Sequence, residues 1–192
     1  MDAKPAADSR AEITHWMGVT DANSAGNIHG GTIMKLADEA AALAAIKHSR
    51  RRVVTVGMDR MNFLVAIYVG ELVTFRAMVN AAWRTSMEVG VRVDSENPVT
   101  GGRRHTNTAY ITMVALDDAD VPTRVPPLLA VSPTETRRMR EAELRRANRL
   151  AEREDMVARR ARESRKERRD EDEPDAVPPA GEGEHGSAAP AG

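Results

Sequence analysis

The 192-residue chain has no cysteine, only six aromatic residues and no long apolar run. Without cysteine it has no disulfide framework, no thiolate-ligated zinc or iron–sulfur site and no thiol nucleophile. Nothing approaches the ~18 consecutive apolar residues of a membrane-spanning helix. The opening MDAKPAADSRAE lacks the apolar stretch of a secretory signal, so the reading is a cytoplasmic chain without membrane insertion. Charge of one sign is missing too: 28 basic groups against 29 acidic leave a net charge of −1, and no nucleic-acid partner is expected. There is no GxSxG elbow, no HExxH, no Walker loop and no GxGxxG opening a helix. The five histidines, at positions 15, 29, 48, 105 and 185, lack metal-ligand spacing. Neither a metal nor a cofactor is expected.

What the chain does contain is unevenly spread. Residues 1–132 hold 14 basic and 14 acidic groups, and the last 60 residues hold 14 and 15. The sequence therefore divides into a flexible N-terminus (1–11), a folded domain (12–131) carrying almost all the large apolar residues, a charged helix (132–170) and a disordered tail (171–192). The domain is of typical single-core size. The tail is small, polar and unable to bury apolar surface. Ser132-Pro133-Thr134-Glu135 is a helix start, with a hydroxyl N-cap, proline at the first helical position and glutamate at the capping-box position. Beyond it Met139, Ala142, Ala147 and Leu150 form a thin apolar stripe, which predicts first turns docked on the body and a solvated remainder.

Within the domain, residues 13–19 suit a short strand, and Asp21 to Asn27 is turn chemistry. Gly30-Gly31 then opens a segment with the best helix composition in the chain. Its Ile33, Leu36, Ala37, Ala40, Ala41 and Ala44 share one face, and the many alanines predict close backbone approach. Four strand-like runs follow at 53–63, 71–83, 86–96 and 105–116. In the third, Met87, Val89, Val91 and Val93 alternate with Glu88, Arg92 and Asp94. The reading is α+β: one long helix against an antiparallel sheet whose last four strands follow one another as a meander.

Polar groups concentrate in the loop that feeds the helix: Asp21, Asn23, Asn27, His29, Gly30 and Gly31. A helix start offers unpaired N–H groups and the positive end of the dipole, suited to an anion or a developing oxyanion. Asp38 lies two turns on, on the face shared by Gly31 and Met34, and Glu39 follows it. The residues alone leave a plainer account open, in which Asn23 shapes a turn, Asp38 is a solvated helix acid and His29 is a cap.

The run Asp21-Ala-Asn23-Ser-Ala-Gly26-Asn-Ile-His29-Gly-Gly31-Thr-Ile-Met-Lys-Leu-Ala-Asp38-Glu resembles the signature of hotdog-fold acyl-CoA thioesterases. The likeness is strongest to the cytosolic (brain-type) acyl-CoA hydrolase group. It continues in order through Val53-Val-Thr55-Val, Asn62-Phe63, Gly70-Glu71, Arg84-Thr85-Ser86, Ser95-Glu-Asn97, Thr100-Gly101 and Val125-Pro-Pro127, covering roughly residues 12–150. It implies a hotdog fold, an antiparallel sheet wrapped around one central helix. It also implies hydrolysis of fatty acyl-CoA to free fatty acid and CoA, with CoA as part of the substrate and no separate cofactor. Carried over by position, it makes Asn23 and Asp38 the catalytic pair, Asp38 as base or nucleophile and Asn23 facing it from a partner subunit of a homodimer or trimer of dimers. Gly30 N–H becomes the oxyanion donor with His29 beside it, Thr55 a hydroxyl that helps hold the attacking water, and Glu39 a weaker acid candidate. Arg84, Thr85, Ser86, Arg103 and Arg104 are available for the CoA phosphates. The alternatives within the fold are a non-catalytic acyl-CoA-binding protein and an acyl-thioester dehydratase. The chain departs from the family at Ala82-Trp83, before the Arg-Thr-Ser run, and at Val65-Ala-Ile67, after the phenylalanine.

Overall fold

The structure is a computed structural model and describes residues 1–59, 61–63 and 65–172, without the side chains of 166–172. The tail expected from residue 171 thus lies almost wholly outside the described residues. Residues 1–147 form one compact unit, and a second unit begins at residue 148.

Helix α1 (Gly30–Ser49) forms where the composition places it. Its alanines 37, 40, 41, 44 and 45 are fully buried, together with Ile33. A face this thin in side chains lets the sheet backbone approach closely. Five strands make the main sheet: β2 (Ala11–Trp16), β3 (Arg52–Met58), β4 (Leu72–Ala82), β5 (Ser86–Glu96) and β6 (Arg103–Leu116). Strands 4 to 6 alternate as expected, and their inward Val73, Phe75, Val79, Met87, Val89, Ile111 and Met113 pack in one core with α1.

Two expectations are corrected. The sheet order is β2-β4-β5-β6-β3, all antiparallel, so only β4, β5 and β6 form a meander. Strand β3, expected to precede β4 as a neighbour, crosses to the far edge and pairs with β6, Thr55 opposite Met113. It also ends at Met58, five residues early. The N-terminus, expected to be flexible, is built in. Strand β1 (Lys4–Pro5) pairs in parallel with β7 (Leu128–Leu129). Ala6 and Ser9 of the following 3-10 turn are buried, and the Ser9 hydroxyl accepts from Val79 N–H at 2.9 Å. A hydroxyl that takes up a backbone donor of a central strand is part of the sheet, although nothing in MDAKPAADS shows it beforehand.

Helix α2 (Pro133–Asp172) starts at the expected cap. Glu135 N–H donates to Ser132 Oγ at 3.2 Å, and the Glu135 carboxylate accepts from Ser132 N–H at 3.0 Å and Val131 N–H at 2.8 Å. These N–H donors hold the Glu135 carboxyl below the usual glutamate range. Its first turns lie on the sheet face opposite α1. There Ala142 is fully buried, and Arg145 donates to both oxygens of Glu88, a residue with no exposed surface. The Arg145 guanidinium also stacks 3.6 Å from the Tyr110 ring centroid. Burial works against its charge, and the Glu88 carboxylate outweighs this and raises its pKa. Ala147 and Leu150, expected to continue the apolar stripe, are exposed.

Candidate active site

The loop into α1 is shaped by its own polar groups. Asn23 Oδ1 accepts from Ala25 N–H at 2.9 Å and from Asn27 N–H at 3.2 Å. Its backbone N–H donates to Asn27 O at 2.7 Å. Gly26 turns the chain at φ +81°, a conformation glycine adopts without strain. Asp21 anchors the start of the loop, its carboxylate accepting from Gly18 N–H at 2.8 Å and its carbonyl from His29 N–H at 2.7 Å. Asn23 therefore does the work of a turn residue with its oxygen.

His29 is the N-cap of α1. Its Nδ1 accepts from Gly31 N–H at 3.2 Å, so the ring takes up one of the four orphan donors of the helix start. Its carbonyl accepts from Thr32 and Ile33. Among the described residues nothing accepts from Gly30 N–H. That free donor sits at the positive end of a 20-residue helix, where an oxygen gaining negative charge is favoured.

Asp38 is half-buried, eight residues or about 12 Å along the axis from Gly30. Thr55 Oγ1 donates to its Oδ1 at 2.6 Å and also lies 3.3 Å from Met113 Sδ. A bulge between Thr55 and Gly57 breaks the β3–β6 register at this point. Such irregularities re-aim side chains beside functional sites. Glu39, next to Asp38, faces solvent and pairs with Lys35 at 3.8 Å, a surface pair across one helical turn.

The sequence-predicted residues thus form two groups within one chain. Asn23, His29 and Gly30 cluster at the helix start, and Asp38 and Thr55 lie farther along. Among the described residues no hydrogen bond joins Asn23 to Asp38. The candidate CoA contacts are also divided. Arg84, Thr85 and Ser86 sit at the turn into β5, while Arg103 and Arg104 lie opposite its other end, since Glu96 pairs with Arg103. Eleven residues of strand span roughly 35 Å. Arg84 is exposed, with no side-chain partner among the described residues. Arg103 donates to Glu96 at 2.7 Å, and Arg104 to both oxygens of nearly buried Glu71.

Sequence reading named Asn62-Phe63 without a role, and it missed Asn107. The Asn107 amide donates to the carbonyl of Asn62, and the Phe63 ring lies beside Gly30. Alternation along β6 places Asn107 in the sheet but carries no sign of a loop resting on it. A separate cavity of about 610 Å³ on the outer face is lined by Arg76, Asn80, Arg92 and Tyr110 with Arg137 and Arg138 of α2. It contains none of the predicted site residues.

Residues 25–101 match the model of the thioesterase superfamily. Protein VdlD of Helicobacter pylori is 37% identical over 119 residues, which are 62% of this chain and 68% of that protein. The cytosolic acyl coenzyme A thioester hydrolase of Rattus norvegicus is 31% identical over 135 residues, 69% of this chain but only 35% of that longer protein. The crystal structure of an apo-hexameric acyl-CoA thioesterase, 36% identical, superposes at a TM-score of 0.76 over 79% of this chain and 97% of its own. An acyl-CoA hydrolase from Staphylococcus aureus, solved with butyryl coenzyme A and coenzyme A, gives 0.75 at 30% identity over 84% of this chain and 98% of its own. Further structures of that enzyme carry single alanine substitutions at an asparagine, an aspartate fifteen residues later and a threonine seventeen beyond that. Asn23, Asp38 and Thr55 have the same two spacings. By these likenesses, and by its sheet wrapped on one alanine-rich helix, the chain belongs to the hotdog-fold acyl-CoA thioesterases of the thioesterase superfamily.

Proposed function

We propose that this thioesterase hydrolyses fatty acyl-CoA to free fatty acid and CoA at a site assembled from two copies of the chain, Asp38 of one facing Asn23 of the other. The observation that carries this reading is the Thr55–Asp38 hydrogen bond of 2.6 Å, which steadies one carboxylate oxygen and leaves the other for chemistry. The matched spacings of the three residues substituted in the Staphylococcus aureus enzyme support the same set.

The thioester carbonyl oxygen accepts from Gly30 N–H of the copy that supplies Asn23, since in one chain Gly30 and Asp38 lie about 12 Å apart, and is stabilised as charge develops on it. The carboxylate of Asp38 supplies the electron pair. It either takes a proton from water, which attacks the carbonyl carbon, or attacks that carbon itself to give an anhydride that water opens. In both routes the C–S bond breaks and CoA leaves as thiolate, a fair leaving group that needs little acid assistance. An acyl adduct on Asp38 in rapid-quench mass spectra marks the second route. A carboxylate, water and backbone donors suffice, so the reaction requires no metal or cofactor. For the CoA phosphates the exposed Arg84, with Thr85 and Ser86, is available. Arg103 and Arg104 would have to release Glu96 and Glu71 to serve.

Self-association is supported by the surface beside Asp38. Among the described residues strand β3 pairs on one side only, and its other edge is an invitation to pairing with a second chain. Met34, Leu43 and Ile46 of α1 and Val54 and Val56 of β3 are each more than 40% exposed. The hexameric thioesterases among the similar structures fit a trimer of dimers. No helix among the described residues is long and apolar enough to cross a membrane, and the cytosolic name of the rat relative favours the same location here.

Mixed oligomers test the shared site. Asn23→Ala and Asp38→Ala each lose hydrolysis, whereas a purified dimer of one of each holds one intact site out of two and regains about half the wild-type rate. Recovery of nothing in the mixed dimer would reject the sharing. Wild-type rates in either single variant would reject the catalytic assignment.

A further inference from the structure

Between β3 and β4, Phe63, Ile67 and Tyr68 lie against the start of α1 and the loop before it, and the catalytic reading gives them no role. Ile28 N–H donates to Ile67 O at 2.8 Å, and Asn27 forms an isolated bridge with Tyr68. Earlier between β3 and β4, the Nδ2 of Asn107 on β6 donates to the carbonyl of Asn62. Asn107 is only 2% exposed, and its Oδ1 has no partner among the described residues. Its bond to Asn62 is therefore the amide's one side-chain anchor, and it sets where the next residue falls.

That residue is Phe63. A Cβ built on Gly30 would lie 3.5, 3.6 and 3.8 Å from three carbons of the Phe63 ring. The ring is 47% exposed, an aromatic surface standing on a helix start rather than buried in the core. Its nearest carbon is within about 5 Å of Gly30 Cα, one C–C bond beyond the Cβ position. A carbonyl oxygen hydrogen-bonded to Gly30 N–H sits ~2.9 Å from that nitrogen, so the first acyl carbons come into the space bounded by the ring. A linear chain can leave in one direction; a carbon carrying two substituents beside the carbonyl must send one toward the ring.

We infer that Phe63, held over Gly30 by the Asn107–Asn62 hydrogen bond, is the wall against which the first acyl carbons pack, and that it selects straight-chain acyl thioesters over those branched next to the carbonyl. Phe63 is the specificity residue and Asn107 a positioning residue acting through it. The inference rests on the reading of Gly30 N–H as the carbonyl's donor.

The test compares kcat/KM for n-butyryl-CoA and isobutyryl-CoA, two substrates with the same number of carbons. Wild type favours the linear substrate, and Phe63→Ala lowers that preference by about tenfold, within the range one methyl-sized contact is worth. Phe63→Leu falls between. Asn107→Ala shifts the preference in the same direction, and adding it to Phe63→Ala changes little further, as expected for two residues in one chain of contacts. A Phe63→Ala preference equal to wild type, with n-butyryl-CoA still hydrolysed, overturns the inference and leaves the catalytic reading standing. A wild type that hydrolyses neither substrate, nor any longer linear acyl-CoA, removes both. If Asn107→Ala slows both substrates alike, or fails to fold, its positioning role is rejected and Phe63 alone decides the specificity.

Discussion

The sheet meets its two helices by opposite chemistry. Helix α1 lies on the inner face mainly through alanines without exposed surface, and its hydrogen bond to the sheet, from Thr55 to Asp38, lies at its margin. Its polar groups, Gly30 N–H, the capping His29 and Asp38, remain at its start and margin, where they are open to a ligand. The first turns of α2 lie on the outer face through a buried arginine–carboxylate pair, a guanidinium on Tyr110, and a second one, Arg146, 4.7 Å from the ring centroid of Trp83. Glu143 in turn accepts from Trp83 Nε1 at 2.8 Å. Those polar groups are spent on each other. The difference teaches that charge density need not locate chemistry: the charges in the first turns of α2 serve packing, and the apolar helix carries the residues proposed to react.

The sharpest way to break that comparison is to exchange the effects. Asp38→Asn should lower kcat for acyl-CoA hydrolysis by about a thousandfold, the middle of the range a positioned acid–base group contributes. Its thermal midpoint should stay near wild type, because the side chain is only half-buried. Steady-state kinetics beside a melting curve checks both halves, and a strongly destabilised variant would undo the distinction.

Arg145→Leu should do the reverse. It takes the Arg145 cation away from the fully buried Glu88 carboxylate, which costs about 3 kcal/mol. The denaturant midpoint should fall while kcat/KM of the remaining folded enzyme is unchanged. The pair of changes Glu88→Leu and Arg145→Leu should restore most of the loss, since removing both charges leaves none uncompensated. A large loss of kcat in the single variant would show that α2 reaches the chemistry after all.

A smaller effect comes at the cap of α2. Ser132→Ala should cost about 1 kcal/mol by releasing the Glu135 N–H. The Glu135 carboxyl titrates below the ordinary glutamate value of 4.5 because two backbone N–H groups favour its charged form. Its contribution is therefore present above that value and is lost as pH falls through the lower, folded-state one. Urea midpoints followed from pH 6 to pH 3 should fall less steeply in Glu135→Gln. An unchanged slope would assign the acid sensitivity to other groups.

Much of this was readable in advance, for local reasons. Alanine spacing marked α1 because a face of small residues repeats every three to four positions. Alternation marked β4, β5 and β6, whose inward valines and methionines are the core. Ser132 and Glu135 announced a capping box because the two partners lie three residues apart. The start of α1 at Gly30 and the cap at His29 were legible in the same way, where loop and helix adjoin. Asp38 stood out by its position on the helix and Thr55 only through a family likeness, and their contact spans seventeen residues and a β-bulge.

What the sequence by itself determined is whatever depends on neighbours within a few positions: the helix, the alternating strands, the turn at Asn23, the caps, and through its motif the family. Only the tertiary structure decided that β3 crosses to the edge beside β6 and that residues 4–9 are tied down, by pairing with β7 and through Ser9 to β4. The same holds for the separation of Arg84 from Arg103 by the length of β5, and for the contacts of Glu88 with Arg145 and of Phe63 with Gly30. Each of these is a pairing between distant segments. Hydrophobic pattern states which face a residue takes, and it leaves open which distant group will satisfy a buried charge or carbonyl. That choice is made by the packed molecule as a whole.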